Sequence, residues 1–221
     1  MHCPPGRTDV HIRTGERTGV SVTKEVYLSA LLVLFILAFA LRNIRTFLST
    51  RRPIRGRSSR LTLSILLSTI IYLWILLRLT LFDTPLLYEF ELPPFLETTG
   101  MVLVTLGFVL GLLALAAMKD SWRVGIRYDQ KTRLVTGGIF RVSRNPYFLS
   151  HDILIFGYLL IFTSPVLIAL YVMLVAVFHR MILEEEKYLE AVHGEAYAEY
   201  RKTSARYLRL PFRRCGFRSS R

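Results

Sequence analysis

Residues 148–183 read FLSHDILIFGYLLIFTSPVLIALYVMLVAVFHRMIL, and how this run divides decides the fold. Thr163-Ser164-Pro165 interrupts it. Pro165 cannot continue the preceding hydrogen-bond ladder, so one apolar stretch becomes a helical hairpin. Its arms are Phe148 to Phe162 and Val166 to Leu183. Three further runs precede it: Val26 to Leu41, Leu61 to Leu81 with Arg78 near its end, and Thr99 to Met118. A bilayer crossing needs about 20 apolar residues. The expectation is therefore an all-α integral membrane protein with about five transmembrane helices, the shorter ones relying on snorkelling or local thinning. Gly107 and Gly111 form a GxxxG in the third span. They read equally as a close helix contact or as two small residues in a Leu-rich helix.

Hydrophobic residues make up 52% of the 221, and the formal net charge is +13. On a soluble chain that charge would suggest nucleic acid; here its placement explains it. Of the 29 Lys and Arg, 24 fall between the first two spans, between the third and fourth, or from Arg180 onward. With five spans these regions share one side. The positive-inside rule makes that side cytoplasmic, with the N-terminus outside. The charge is a topology signal, and nucleic acid is not needed as a partner. Cys3 and Cys215 have neither CxxC nor metal-ligand spacing, which points to free thiols. Residues 1–24 lack an apolar core, so a flexible tail and an uncleaved first span are expected. The remaining division is residues 25–118 as spans one to three, 119–210 as the functional region and 211–221 as a basic tail.

Three clusters on the cytoplasmic side carry chemistry. The loop 121–138 holds Trp122, read as an interfacial anchor, with several arginines. In RVSRNPYF, residues 141–148, Pro146 suits the first turn of the fourth span and Asn145 is placed to cap it. Arg141 and Arg144 then lie beside a helix N-terminus, which favours anions. Ser150-His151-Asp152 has the composition of a triad, but adjacent helical residues point about 100° apart and cannot form a relay. In the third cluster, residues 179–208, Arg180 and Glu184 lie one turn apart and can share a face. Leu189, Val192, Ala196 and Tyr200 repeat at helical spacing, predicting a cytoplasmic amphipathic helix. His179 and His193 have no metal-site arrangement, so no metal is expected. Arginines and carboxylates thus gather at one membrane mouth, which suits a zwitterionic, amphipathic ligand.

LVTGGIFRVSRNPYFLS, the hairpin, and EEKYLEAVHGEAYAEYRKTSARYL, in that order, resemble the isoprenylcysteine carboxyl methyltransferase and phospholipid N-methyltransferase family in its prokaryotic form. The likeness covers residues 119 to 210, with Glu185, Glu186 and Leu189 matching the acidic motif and Gly194, Tyr197 and Tyr200 the aromatic one. Asn145, Phe148, Ser150 and His193 stand where many members have histidine, tyrosine, glycine and phenylalanine. The resemblance implies an S-adenosylmethionine-dependent membrane methyltransferase without a Rossmann domain. It assigns the cofactor to Arg133, Leu134, Val135, Phe140, Asn145, Pro146, Phe148 and Glu185, with Glu185 toward the cofactor's ammonium. Arg180 is the candidate clamp for an anionic substrate group, with Arg144 and Arg206 as further carboxylate candidates and Glu186 as a candidate base.

Methyl transfer from a sulfonium depends mainly on alignment and exclusion of water. A carboxylate acceptor, already ionised with a pKa of about 3.3–3.7, needs orientation only. A lipid amine needs a base such as Glu186 or Glu184. The Arg180–Glu184 pairing leans toward a carboxylate on a lipid or lipid-modified acceptor. A phospholipid amine, a nicotinamide-dependent membrane reductase and a non-catalytic protein binding anionic lipids are the competing readings.

Overall fold

The computed structural model describes residues 19–51, 56, 58–80, 92–118, 122 and 134–208. Arg133 and most of the loop 119–133 lie outside that set, as do the N-terminal tail up to residue 18 and the basic C-terminus from 209. The described chain is all-helical, without strands: α1 (Gly19–Thr50), α2 (Ser59–Thr80), α3 (Pro94–Met118), α4 (Pro146–Ile161), α5 (Pro165–His193) and α6 (Glu195–Thr203), with a 3-10 turn at Gly138–Arg141. Of these, α1, α2, α3 and α5 are long and apolar enough to cross a membrane. The fourth expected span, α4, has 16 residues, about 24 Å at 1.5 Å per residue. This is an integral membrane protein.

Each helix turns one face inward. On α2 the buried residues are Leu61, Ser64, Leu67, Ile71, Ile75 and Leu79, spaced by three or four, while Leu63, Leu66, Leu73 and Leu77 face outward. A polar outer face would mark a water-soluble bundle; this one is leucine, as lipid requires. The hairpin forms as expected. Phe162 N–H closes the last turn of α4 on the Tyr158 carbonyl at 2.8 Å, and Pro165 opens α5, where its missing N–H leaves no gap. Tyr158 donates from its hydroxyl to the Leu28 carbonyl at 2.6 Å, fastening α4 to α1.

The glycines decide how closely α3 approaches its neighbours. A Cβ on Gly107 would sit 2.6 Å from the Leu154 backbone nitrogen, and one on Gly157 2.7 Å from the Val104 nitrogen. Gly111 has a different neighbour: its Cβ would meet the Phe35 ring of α1 at 2.5 Å. The GxxxG is therefore a contact motif, split between two partner helices.

Two features differ from the expectations. α1 begins at Gly19, inside the segment read as a flexible tail. The amphipathic repeat is not one helix either. α5 runs straight through Glu184–Glu186 to His193, and Gly194, with φ 52° and ψ −123°, breaks the chain before α6. That positive φ is open to glycine and strained for other residues. The turn redirects α6 so that Tyr197 and Tyr200 point inward. Beyond it, the strand-like segment at Ala205 lies parallel to Ser143 in a single bridge.

Candidate functional site

A cavity of about 340 Å³ runs from the bundle interior to the loop ahead of α4. Its inner half is walled by Phe35 and Phe39 of α1, by Ser64, Ser68 and Tyr72 of α2, and by Tyr147 and His151 of α4. Its outer half is walled by Leu134, Val135, Phe140, Asn145, Glu185, Tyr197 and Tyr200. Among the residues singled out from sequence, Leu134, Val135, Phe140, Arg144, Asn145, Pro146, Phe148 and Glu185 all line this one space. Arg180 does not; it is exposed on α5.

The outer half is built on a small second core, in which Phe140, Tyr197 and Tyr200 pack with Leu134, Val135 and Leu189. Tyr200 donates to the Phe140 carbonyl at 2.7 Å, joining α6 to the 3-10 turn. The Tyr197 hydroxyl is buried with no hydrogen-bond partner among the described residues. Burial, with Glu186 nearby, pushes its pKa up to about 12. It stays a neutral donor at any physiological pH.

Beneath this wall lies a charge cluster. Glu186 accepts from Arg144 at 3.1 Å (Nε) and 2.8 Å (Nη2) on one oxygen. It accepts from Arg206 at 3.0 and 2.7 Å on the other. Two fork-shaped partners on one carboxylate are the strong form of this interaction. Arg144 spends its remaining nitrogen on the Ser204 carbonyl at 2.6 Å, and its backbone N–H on Ala205 at 2.8 Å. Arg144, Glu186 and Arg206 therefore clamp the segment after α6 onto the segment before α4. Asn145 joins them. Its side chain makes no cap to α4; it donates to the Arg206 carbonyl at 3.1 Å, while its own N–H is taken by Ser143 Oγ at 3.1 Å. The capping expectation fails because that side chain is committed to the clamp.

Glu185, one residue earlier, is different. It is half-buried in the cavity wall and has no hydrogen-bond or ion-pair partner among the described residues. Glu184 pairs instead with Arg60 of α2. Three consecutive acids on one helix thus fall on three faces, about 100° apart: one to α2, one to the cavity and one to the clamp.

The inner half holds residues that the sequence reading did not select. Trp122 is not an interfacial anchor. It is 3% exposed, donates from its ring to Asn43 Oδ1 at 2.7 Å and meets Tyr147 edge-on at 5.2 Å. Tyr72 and His151 Nε2 are 2.6 Å apart. Ser150 donates to the Tyr147 carbonyl at 2.7 Å, and the Asp152 Oδ1 is buried with no partner among the described residues. Ser150 and His151 therefore serve two unrelated contacts and form no relay with Asp152, as their spacing required. A legible signal existed for this half: Ser64, Ser68 and Tyr72 recur every four residues, a polar stripe along a membrane helix.

Among curated proteins, no sequence relative matches the chain. Residues 96–196 match the family model described as phospholipid methyltransferase. The span matched starts in α3 and ends in α6, taking in the hairpin and Glu185 and Glu186.

Proposed function

We propose that the cavity is the active site of an S-adenosylmethionine-dependent methyltransferase acting on a lipid or lipid-linked acceptor, with its outer, cofactor half toward the cytoplasm. The observation that carries this is Glu185, without a partner among the described residues, standing in the wall of a cavity whose other end lies between membrane helices. An acid left without a partner in such a wall is matched by a cationic ligand. The donor set fits the whole molecule. Glu185 faces an ammonium or sulfonium, the buried Tyr197 hydroxyl offers a donor, and Phe140, Leu134 and Val135 supply an apolar bed for the adenine. When bound, the cofactor supplies an electrophilic methyl group.

The chain's own contribution is position and dryness. Asn145 and Pro146 set the start of α4 against the cavity, and Arg144, Glu186 and Arg206 hold the roof closed over it. These three act through structure in this reading, because every strong contact they make is to each other or to backbone. Glu186, held ionised between two guanidiniums, is a poor base. Arg180, away from the cavity, gives a carboxylate acceptor no clamp. Phe148, packed edge-on to Phe178 at 4.9 Å, lines the same cavity between its two halves' residues. Exclusion of water and alignment are the main aids a protein gives an in-line displacement. Arg133 belongs to the same proposed cofactor set and lies outside the described residues.

The test is thermal stabilisation of the detergent-purified protein by S-adenosylhomocysteine, with NADPH in parallel. A saturable shift with S-adenosylhomocysteine, lost in Glu185→Gln, supports the reading. A shift with NADPH alone transfers the site to a reductase.

A further inference from the structure

The inner half of the cavity contains a buried polar pair on which nothing above depends. His151 is 3% exposed and lines the cavity. Its ring is fixed edge-on between Phe35, at 6.0 Å, and Phe178, at 4.9 Å. Nε2 is 2.6 Å from the Tyr72 hydroxyl. Nδ1 is buried with no partner among the described residues. A buried polar atom without a partner forfeits its hydration, so native structures seldom leave one unless a ligand answers it.

Hydrogen counting selects the tautomer. If Nε2 carried the proton, Tyr72 would accept it and its own O–H would have no acceptor among the described residues. Two groups would then be left unmade, the O–H and the Nδ1 lone pair. If Tyr72 donates to Nε2, the neutral ring carries its proton on Nδ1 and one group alone is left, a donor. A second donor stands near it along α2. Ser64 and Thr69 spend their hydroxyl hydrogens on the Leu61 and Ile65 carbonyls at 2.9 and 2.8 Å. Ser68, also in the cavity wall, has no partner among the described residues.

We infer that His151, set by Tyr72 as its Nδ1–H tautomer, binds an oxygen of the acceptor's polar head in the inner half of the cavity, with Ser68 as the second donor. The ligand class is a lipid whose head presents a hydrogen-bond-accepting oxygen: a carboxylate, a phosphate or an ester carbonyl. The inference rests on the methyltransferase reading and assigns that site its acceptor subsite.

Three variants test it. In His151→Gln the amide oxygen takes the place of Nε2 and still accepts from Tyr72, but no donor stands at the Nδ1 position. In His151→Asn the amide nitrogen takes the Nδ1 position. In Tyr72→Phe the ring is freed to exchange tautomers. The probes are N-acetyl-S-farnesylcysteine, for a carboxylate, and phosphatidylethanolamine vesicles, for phosphate and ester oxygens. Thermal stabilisation by each probe alone is read beside methyl transfer. The acceptor KM should rise about 5- to 30-fold in His151→Gln and Tyr72→Phe and recover in His151→Asn, with stabilisation by S-adenosylhomocysteine unchanged in all three. The probe that wild type methylates tells the two oxygen sources apart. An unchanged KM in His151→Gln overturns the inference, as does loss of S-adenosylhomocysteine binding in that variant, which makes His151 a packing residue. Wild type that binds S-adenosylhomocysteine but neither binds nor methylates either probe also overturns it. No S-adenosylhomocysteine binding by wild type instead removes the methyltransferase reading itself.

Discussion

Glu185 and Glu186 are neighbours of identical chemistry, and the structure requires their neutral variants to fail in different ways. Glu186 receives four guanidinium nitrogens at 2.7 to 3.1 Å, and both it and Arg144 are about nine-tenths buried, their side chains 10% and 9% exposed. Glu186→Gln leaves Arg144 charged, buried and facing an amide. Breaking a buried pair from one side costs about 3–5 kcal/mol. In a chain of this length each kcal/mol moves the midpoint by about 2–4 °C, so the thermal midpoint should fall by about 6–20 °C. Glu185→Gln loses no partner among the described residues. Its midpoint should match wild type, while S-adenosylhomocysteine affinity drops. One hydrogen bond to a charged group is worth about 1.5–3 kcal/mol, or about 10- to 150-fold in the dissociation constant. Differential scanning fluorimetry in detergent, with and without the ligand, reads both quantities from one preparation. Equal loss of midpoint in the two variants would refute the division of roles. So would a Glu185→Gln protein that binds S-adenosylhomocysteine as tightly as wild type.

Gly107→Ala places a methyl group 2.6 Å from the Leu154 nitrogen, against backbone that cannot swing aside; SDS titration should show a loss of about 1–3 kcal/mol. Arg180→Ala, an exposed site off the cavity, should leave S-adenosylhomocysteine binding within twofold of wild type by isothermal titration. Tyr200→Phe removes the 2.7 Å bond to the Phe140 carbonyl. It should destabilise by about 1 kcal/mol and speed hydrogen exchange in α6.

The sequence by itself determined the membrane class, the hairpin and the region of the site. Those features depend on properties local to the chain: the length of an apolar run, a proline that cannot continue a helix, and two motifs at a fixed order. Cavity-lining positions from Leu134 to Phe148, with Glu185, were legible for the same reason, since a short segment and one helix turn carry them. Partners were not legible. Arg180 and Glu184 share a helix and were read as a pair, yet Glu184 takes Arg60 of α2. Arg144 looked like an anion site at a helix end, until Glu186 met it from 42 residues further along the chain, with Arg206, another 20 residues on, bound to the acid's other oxygen. Asn145 was read as a cap and serves a strand-like segment 61 residues away. Tyr72 and His151, 79 residues apart, carried no mutual signal at all. A side chain's direction follows from its own helix, but which charge or hydroxyl stands opposite depends on how the helices pack. Here that packing was set by glycines that let α3 and α4 touch backbone to backbone, and by one turn at Gly194 that brings two tyrosines over the cavity.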